Sequence, residues 1–305
     1  MAQFKNNESS RPHVTVCICT YRRADFLRRL LDELARQETR GLFAFSVAVC
    51  DNDSAGSAAT VVAAFKEAND LSVSYSSEPR QNIALARNRV WADAQGEFVA
   101  FIDDDEFPAP DWLEKLYSAC LTYQSAGVLG PVRPHFEQAP PRWILQGQFC
   151  ERPEHATGRV MKWDESRTGN VLIRRSIVGN DPAPFKAEFG NGGEDKDFFM
   201  RMTERGAVFV WCNEAIAYET VPPSRWTRSY MLKRALLRGR NILKHPKGRV
   251  DAIVKSVLAL PIYSIILPFT LLFGQRCFMK YSIKFCDHLG RFLALLGMNP
   301  VARQV

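Results

Sequence analysis

The sequence lacks several motifs by which common nucleotide-binding and hydrolytic enzymes are identified. Its 305 residues contain neither Gly-x-Gly-x-x-Gly nor a Walker A sequence, so neither glycine-rich phosphate loop is present. There is no Gly-x-Ser-x-Gly elbow of the kind that carries a nucleophilic serine. The eight cysteines form no Cys-x-x-Cys pair and the five histidines are scattered, so the spacing of a zinc site is missing. These absences leave acidic side chains as the main candidates for chemistry.

The amino-terminal residues also lack the apolar core of a secretory signal, because residues 1–11 are mostly polar. We therefore expect the main part of the chain not to be secreted, with its cysteines as free, reduced thiols in the cytoplasm. A composition of 46% hydrophobic and 24% charged residues is that of an ordinary globular protein, not of a disordered chain. The length fits one large domain, or one domain with an appendage.

The first half of the chain alternates short apolar runs with amphipathic segments. Strands are predicted at residues 14–19, 45–50, 73–75, 98–102 and 127–130, and helices at residues 26–34, 58–68, 83–94 and 111–123. This order predicts an α/β fold with a mostly parallel sheet flanked by helices. Residues 131–164 indicate loops and short strands, which we interpret as an acceptor-side subregion. A strand at 169–174, a helix at 194–205 and a strand at 207–212 are predicted to follow.

Positive charge is concentrated between residues 225 and 255, where ten Lys or Arg residues accompany a single acid, Asp251. Such a block predicts an anionic partner, which is a phosphate, a nucleic acid or an acidic lipid surface, with a solvated helix face as the alternative. A nucleic acid is disfavoured, because the block adjoins an apolar segment and lacks interleaved aromatic residues.

Residues 256–274 contain no charged residue, and their number is close to the roughly 18–20 residues that span a bilayer. We expect Pro261 and Pro268 to kink a helix here. Basic residues flank both ends, which fits poorly with a single span. We favour a re-entrant hairpin or an interfacial helix pair with residues 278–296 as the second, amphipathic arm, and a buried core helix is the alternative. The flanking residues are Arg249, Lys255, Arg276 and Lys280.

The densest acidic cluster is Asp103, Asp104 and Asp105, which directly follows the predicted strand at 98–102. Three carboxylates in one loop repel each other unless a cation neutralises them. Asp103 and Asp105 are placed to face one ion and the diphosphate that it bridges, and oxygen-only ligands indicate Mn²⁺ or Mg²⁺. A solvated acidic turn is the alternative.

A second acidic cluster, Glu194, Asp195 and Asp197, follows the glycine-rich sequence that begins at Gly190. Acids at a helix amino terminus act as caps and complement the helix dipole, but that explains one acid better than three. One of them is therefore a candidate general base, because a hydroxyl is a poor nucleophile until it loses its proton. The residues alone leave Glu194 and Asp195 as alternatives.

Two further segments carry polar residues near predicted strand ends. Asp51 and Asp53 are suited to hydrogen bonds from a base or a ribose, or equally to an Asx turn with a helix cap. Arg87 and Asn88 lie on one predicted helix and are candidates to contact phosphate or ribose, with simple solvation as the alternative.

In order and spacing, these motifs resemble those of the family-two glycosyltransferases of the GT-A fold. The resemblance covers about residues 12–240 and rests on residues 14–22 (VTVCICTYR), 51–54, 82–88, 103–105 and 194–195. The stretch that begins at Tyr218 resembles a subset that builds bacterial exopolysaccharides, of the succinoglycan glucosyltransferase type. We expect a catalytic domain at residues 1–240 and a hydrophobic, basic, membrane-associating helical tail at residues 241–305.

The resemblance also implies residue roles. Asp195 matches the catalytic base, and Asp105 matches the direct metal ligand, with Asp103 as the other acid of the DxD motif. Many relatives have a His after the last strand, near the metal; Glu219 stands near that place here and is expected to substitute as a ligand. The residues expected to bind the donor nucleotide sugar are Thr20, Tyr21, Arg22, Asp51, Asp53, Arg87, Asn88, Asp103 and Asp104.

The implied activity is an inverting, Mn²⁺- or Mg²⁺-dependent transfer of a hexose, with glucose expected, from a UDP-sugar donor. The implied acceptor is a polyprenyl-diphosphate-linked oligosaccharide at the cytoplasmic face of the bacterial inner membrane, with the chain peripheral, re-entrant or single-span. Two alternatives come from other classes. A sugar nucleotidyltransferase would need a glycine-rich phosphate loop, which is not seen beside Thr20. The intact acidic motifs argue against a catalytically inactive membrane scaffold of a polysaccharide assembly complex.

Overall fold

The computed structural model describes residues 11–190, 192–242 and 249–298. Residues 1–10, Asn191, and Lys244 and Lys247 of the basic block lie outside the described residues. The strands are β1 (His13–Thr20), β2 (Ala44–Asp51), β3 (Val73–Ser77), β4 (Phe98–Phe101), β5 (Glu106–Pro108), β6 (Gly127–Leu129), β7 (Val132–His135), β8 (Val171–Arg174), β9 (Phe209–Trp211) and β10 (Ala217–Thr220). The α-helices are α1 (Ala24–Leu34), α2 (Ala59–Ala68), α3 (Ile83–Asp93), α4 (Trp112–Thr122), α5 (Arg142–Gly147), α6 (Glu194–Glu204), α7 (Arg228–Ile242), α8 (Arg249–Thr270) and α9 (Gln275–Leu295).

Seven strands form one sheet in the order β3-β2-β1-β4-β8-β6-β9. β1 lies parallel to β2 and β4, and β2 lies parallel to β3, so four neighbouring strands share one direction. β8 runs antiparallel to both β4 and β6, whereas β9 is parallel to β6. The prediction of a mostly parallel sheet is confirmed, with β8 as the reversed strand.

Helices cover both faces of this sheet because successive side chains of its apolar strands point to opposite sides. Val16 and Ile18 of β1 belong to one buried cluster with Leu30 of α1, and α2 and α4 also contribute to this cluster. Cys17 belongs to a second cluster on the other face with Val90 of α3, to which α6 contributes. The carboxyl ends of β1, β2 and β4 are therefore held in place by core packing on both faces of the sheet.

Several short elements lie where the sequence predicts little regular structure. β7 agrees with the loops and short strands predicted for residues 131–164, α5 is a helix in that region, and β5 and β10 lie where no element is predicted. β5, β7 and β10 have three or four residues each, and α5 has six. Elements of this length show no full period of apolar residues, and β7 even contains Pro134. The main strands and helices, in contrast, begin and end within about two residues of their predicted positions.

The chain packs as two compact units. The first comprises residues 1–132, 154–190 and 194–218, and the second comprises residues 133–153, 191–193 and 219–305. The predicted functional boundary at residue 240 stays a prediction, but the packing divides the chain elsewhere. Residues 133–153 and 219–240 group with the carboxyl-terminal helices.

In the second unit, α7 and α9 approach closely at two glycines. A Cβ atom on Gly290 would overlap the backbone of Leu236, and one on Gly239 would overlap the backbone of Asp287. Arg238 donates two hydrogen bonds to the Asp287 carboxylate across the same contact, at 2.8 and 2.6 Å. The glycines therefore allow the ion pair to form between two touching helices.

α8 and α9 form a helical hairpin. A 3₁₀ turn, Leu271–Phe273, and then Gly274 with a φ of 89° separate the two helices. Near the open end of the hairpin, Ser256 Oγ of α8 lies 3.0 Å from His288 Nδ1 of α9. The two arms therefore lie against each other along much of their length, as the prediction of a helix pair requires.

α8 presents an apolar face to solvent. Val250–Phe273 is one stretch, within the ranges that the structure describes, that is long and apolar enough to cross a membrane. Only 11% of its most apolar 18-residue window is buried, so the alternative of a buried core helix is not supported. The helix continues through both Pro261 and Pro268. The large apolar side chains of α8 that are at least half exposed recur at helical spacing. They are Val250, Val254, Val257, Leu258, Ile262, Ile265 and Phe269.

Candidate active site

Three parallel strands bring polar residues to one edge of the sheet. Thr20 is the last residue of β1 and Asp51 is the last residue of β2, and the two are direct neighbours in the strand register. Asp103 follows the end of β4 by two residues. Because the carboxyl ends of parallel strands meet at one edge, the structure brings these predicted site residues together.

Asp104 points inward and anchors the acidic loop. Thr20 Oγ1 donates a hydrogen bond to Asp104 Oδ2 at 2.9 Å, and Arg23 Nη1 donates to Asp104 Oδ1 at 2.8 Å. Burial raises the pKa of Asp104 to about 6, although the Arg23 guanidinium acts in the opposite direction. In this structure Thr20 and Asp104 therefore shape the loop, and their predicted contact with the donor stays a prediction.

Arg23 connects Asp104 to Asp105, and sequence reasoning missed this residue. The same Nη1 atom donates to Asp105 Oδ2 at 3.2 Å, so one guanidinium partly neutralises two of the three acids. The Arg23 side chain is 41% exposed, whereas the two carboxylates are nearly buried. The only sequence signal for Arg23 is its place directly after the motif that ends at Arg22.

Asp103 is the outward member of the acidic loop, with 46% of its side chain exposed. Its backbone N–H donates to Glu106 Oε2 at 3.2 Å, and Arg87 Nη2 lies 3.8 Å from Asp103 Oδ1. A Cβ atom on Gly169 would lie 2.9 Å from Asp103 Oδ2 and 3.0 Å from Glu106 Oε1. Glycine at this position therefore leaves room beside both carboxylates.

The carboxylate oxygens of this loop are suitable ligands for a hard divalent cation. Asp103 and Asp105 offer only carboxylate oxygens, and Mg²⁺ is typically held by one or two protein carboxylates together with substrate phosphates. Across the residues that the structure describes, no group of three or more His, Cys, Asp or Glu side chains is placed to hold a metal ion. The two aspartates suit an ion whose remaining ligands come from the substrate.

Asp51 is fully buried, and its carboxylate shapes the turn after β2. Asp51 Oδ1 accepts a hydrogen bond from the Asp53 N–H at 3.0 Å. Asp51 Oδ2 accepts from the Ala58 N–H at 2.7 Å and from the Tyr75 hydroxyl at 3.2 Å. The contact of Asp51 with uracil that the resemblance implies stays a prediction, since both oxygens serve this turn.

Tyr21 and Arg22 lie on the solvent side of the same edge. Arg22 adopts a left-handed φ of 53°, and its guanidinium carbon lies 5.0 Å from the centre of the Tyr21 ring. Arg22 Nε donates to Asp53 Oδ2 at 3.1 Å. This hydrogen bond holds the pKa of Asp53 below its ordinary value, so the pair is charged at neutral pH.

Asparagines hold the loops around this edge, which sequence reasoning did not anticipate. Asn52 Nδ2 donates to the carbonyl oxygens of Glu78 and Arg80 at 2.7 and 2.8 Å, and Asn52 Oδ1 accepts from the Asn82 N–H at 3.0 Å. Asn82 Oδ1 then caps α3, and its Nδ2 donates to the Ala187 carbonyl at 2.9 Å. Asn52 and Asn82, of a residue type that is common in turns, therefore connect three loops.

Asn88 has a similar role. Its Nδ2 donates to the Phe185 carbonyl at 2.8 Å, and its Oδ1 accepts from the Phe185 N–H at 2.9 Å. Both polar ends of the side chain thus pair with one backbone residue. The predicted contact of Asn88 with the nucleotide stays a prediction.

The three acids in the first turn of α6 have different surroundings. Glu194 is buried and accepts a hydrogen bond from Arg87 Nη1. Asp197 is buried and accepts from Arg201 Nε at 2.7 Å. Asp195 is only partly buried, and its Oδ1 accepts from the adjacent Lys196 N–H at 2.8 Å. Of the two candidates that the residues alone left open, Asp195 is therefore the more exposed, and its role as the base stays a prediction.

Arg87 lies where the two acidic segments meet. Its side chain is 10% exposed, and the negative charges of Glu194, Asp103 and Asp195 all raise the pKa of its guanidinium. Burial lowers the pKa of this guanidinium, but the three carboxylates raise it by more, so Arg87 is charged. Burial also raises the pKa of Glu194, against the opposing effect of Arg87. The predicted contact of Arg87 with the nucleotide stays a prediction.

Glu219 lies in the second unit, where it is paired with cations. Arg225 Nη1 donates to Glu219 Oε1 at 2.6 Å, and Arg152 Nη2 donates to Glu219 Oε2. Both carboxylate oxygens therefore have a guanidinium partner. The role of Glu219 as a metal ligand stays a prediction, and in this structure its charge is neutralised by arginine.

Comparison with known proteins places this geometry in a family. The sequence matches the model of Glycosyl transferase family 2 over residues 15–179, which is more than half of the chain. Succinoglycan biosynthesis protein ExoM of Rhizobium meliloti (strain 1021) is 36% identical over 232 residues, which cover 75% of this chain and 73% of that protein. The residues matched by the family model include most of β1, all of β2 and β4, and the acidic loop after β4.

Solved structures share the fold. Mannosyltransferase PcManGT from Pyrobaculum calidifontis, in complex with GDP-Man and Mn²⁺, gives a TM-score of 0.62 at 16% identity and covers 95% of this chain and 89% of its own. S. aureus TarS 1-349, in complex with UDP-GlcNAc, gives 0.53 at 15% identity and covers 96% and 94%. At these identities the likeness concerns the fold, and it confirms the predicted GT-A type architecture. The family match, the relative and the sheet edge together show that this chain belongs to glycosyl transferase family 2.

Proposed function

We propose that this family-two glycosyltransferase moves a hexose, with glucose as the first candidate, from a UDP-sugar to a polyprenyl-diphosphate-linked oligosaccharide in bacterial exopolysaccharide biosynthesis. The observation that carries the proposal is the position of Arg87, which contacts Glu194 and lies beside Asp103 and Asp195. The acidic loop of the donor side and the candidate base of α6 are therefore neighbours, as sugar transfer requires.

Two comparisons support the substrates. A solved structure of the same fold holds UDP-GlcNAc, which supports a UDP-sugar donor. The name of the relative from Rhizobium meliloti points to polysaccharide synthesis. The Mn²⁺ in the mannosyltransferase structure supports the use of a divalent metal.

The reaction is a single displacement in which Asp195 acts as general base. The acceptor hydroxyl loses its proton to the Asp195 carboxylate as its oxygen attacks the anomeric carbon from the face opposite the departing UDP. One displacement inverts the configuration, and no covalent enzyme intermediate forms. Glu194 and Asp197 are not free for this task, because arginines engage them. Mn²⁺ or Mg²⁺ held by Asp103 and Asp105 would supply Lewis-acid neutralisation of the diphosphate.

The test is release of UDP from a panel of UDP-sugars by detergent-solubilised protein with bacterial lipid extract and Mn²⁺ or Mg²⁺. We expect turnover with one sugar, loss of turnover on chelation, and an inverted anomeric configuration in the product. Release of pyrophosphate in place of UDP would support the nucleotidyltransferase alternative. Binding of lipid-linked oligosaccharide without any turnover would support the scaffold alternative.

The membrane part of the proposal places the chain at the cytoplasmic face of the bacterial inner membrane. Its support is the exposed apolar face of α8, together with the cations Arg276 and Lys280 that follow the tip of the hairpin. Lys280 and Lys284 on α9 disfavour full burial of both arms in hydrocarbon, so we place the hairpin in the interface of one leaflet.

Sedimentation with lipid vesicles tests this placement. We expect binding to vesicles that contain phosphatidylglycerol, and a strong loss of binding in Leu272→Glu, since Leu272 is 82% exposed at the tip. Val160→Glu is the matched control, because Val160 is a 61% exposed apolar residue of the first unit. Equal binding by both variants would contradict the placement.

A further inference from the structure

We infer that Glu194 is a positioning residue of the proposed transfer, which acts through Arg87 to hold the donor-side acidic loop and the start of α6 in one arrangement. The inference rests on the proposed function, and it separates Glu194 from the adjacent Asp195. Glu194 itself would neither touch the donor nor accept the proton.

The geometry joins three separate elements. Arg87 extends from α3, Glu194 is the first residue of α6, and Asp103 follows β4. Arg87 Nη1 contacts Glu194 Oε1, while Arg87 Nη2 lies 3.8 Å from Asp103 Oδ1. Because the guanidinium is planar and rigid, fixing one of its nitrogens fixes the direction of the other.

Stability alone is a poor explanation for this ion pair. The side chains of Arg87 and Glu194 are 10% and 5% exposed, and a buried pair often stabilises a protein no more than apolar residues of the same volume would. The second oxygen, Glu194 Oε2, is also buried and has no hydrogen-bond partner within the described part of the chain. Such an atom lowers stability. A pair that contributes little to stability is better explained by the position that it gives to Arg87.

Asp197 provides a natural contrast on the same helix. Its side chain is 3% exposed, so it is buried as deeply as Glu194. Its partners are Arg201, one turn along the same helix, and Lys186, whose Nζ lies 3.8 Å away. This ion pair does not reach the acidic loop after β4. Asp197→Asn therefore tests for the general effect of losing a buried acid from α6.

The experiment measures donor kinetics and UDP–Mn²⁺ affinity for Glu194→Gln, Arg87→Gln and the double variant. We expect kcat/KM to fall about 10- to 100-fold in Glu194→Gln, the range for a partner that orients a site residue. We expect UDP to bind more weakly as well, because Asp103 loses its fixed neighbour. The double variant should be no worse than Arg87→Gln, since both substitutions remove one interaction. Asp197→Asn should keep both values near those of the wild type.

A second variant covers the case in which Glu194→Gln does not fold. Arg87→Met with Glu194→Met replaces the ion pair by apolar side chains, and we expect a melting temperature at or above that of the wild type with activity as low as in Arg87→Gln.

Three outcomes would overturn the inference. Wild-type kcat/KM in Glu194→Gln would show that the contact is dispensable. Unchanged UDP affinity with a loss of turnover as large as in Asp195→Asn would make Glu194 the base. Full activity in the double methionine variant would show that the charges have no positioning role. A wild-type protein that binds no UDP would instead contradict the proposed function.

Discussion

The two acidic segments of the first unit carry similar charge but neutralise it differently. In the loop after β4, a single half-exposed arginine, Arg23, contacts both Asp104 and Asp105. On α6, each buried acid has its own largely buried arginine, Arg87 for Glu194 and Arg201 for Asp197. Solvent can reach the cation that neutralises the loop after β4, whereas the cations that neutralise α6 are shielded from solvent.

This difference indicates what each segment is suited to do. A loop whose acids share one accessible cation can give up that cation when a divalent ion and a diphosphate arrive. A helix whose inward acids are individually paired keeps one shape and leaves the third acid of its first turn, Asp195, partly exposed. We therefore assign binding to the loop and proton transfer to the helix, and four measurements test this division.

The largest expected effect is the loss of the base. Asp195→Asn keeps the size of the side chain but cannot accept a proton, so we expect kcat to fall about 10³-fold. The affinity for UDP, measured by calorimetry, should stay within about twofold, because Asp195 itself does not hold the donor in this division. A matching loss of UDP affinity would mean that both acidic segments bind the donor.

Loss of a metal ligand comes second. Asp105→Ala should lower kcat/KM about 10²-fold and raise the Mn²⁺ concentration needed for half-maximal activity, because one of two protein carboxylates is gone. Asp70→Ala, at an exposed acid that precedes β3 and so lies at the opposite, amino ends of the parallel strands, controls for the change in net charge. An unchanged Mn²⁺ requirement in Asp105→Ala would remove Asp105 from the metal site.

The third measurement concerns stability and pH. Asp104 has a folded pKa of about 6 against an ordinary 3.8, so the folded chain holds this proton to a higher pH than the unfolded chain does. The contribution of Asp104 to the free energy of unfolding therefore falls as pH rises from about 4 to about 6, by about 3 kcal/mol in total. Asp104→Asn should lack this decrease in urea unfolding. Parallel pH curves for the two proteins would contradict the raised pKa.

The smallest expected effect comes from the accessible arginine. Arg23→Gln removes the cation that competes for Asp105, so the Mn²⁺ concentration for half-maximal activity should fall. The change should be at most about fivefold, because a half-exposed ion pair contributes about 1 kcal/mol or less. A higher Mn²⁺ requirement would show that Arg23 holds the loop open for the metal.

The fold could be predicted from sequence where the elements are long and their burial is regular. β1 and β2 are apolar runs of eight residues with buried side chains on both faces, and α1 shows four buried leucines at helical spacing. The sequence did not predict β5, β10 or α5, which are too short to show a period, and it predicted β7 only as one of the short strands of residues 131–164. The reversal of β8 could not be predicted, since an apolar run does not encode strand direction.

For the candidate site, the sequence named the acids and Arg87 but not how they pair. Carboxylates after strand ends are visible in a sequence, but their partners are not, because Arg23 and Arg87 come from other elements. The asparagines show the same limit. Asn88 was a candidate nucleotide contact, yet its side chain pairs with the backbone of a residue 97 positions away. Such a contact depends on the fold and leaves no local pattern.

Hydrogen bonds attach residues 185–190 to α3 and to the residue that caps it. Asn88 pairs with Phe185, Asn82 with Ala187, and the Ile83 N–H donates to the Gly190 carbonyl at 3.3 Å. A Cβ atom on Gly190 would overlap the Asn82 side chain, so the fit depends on glycine. The conformational entropy of this segment, which leads to the base, is lost once during folding and not again in each catalytic cycle.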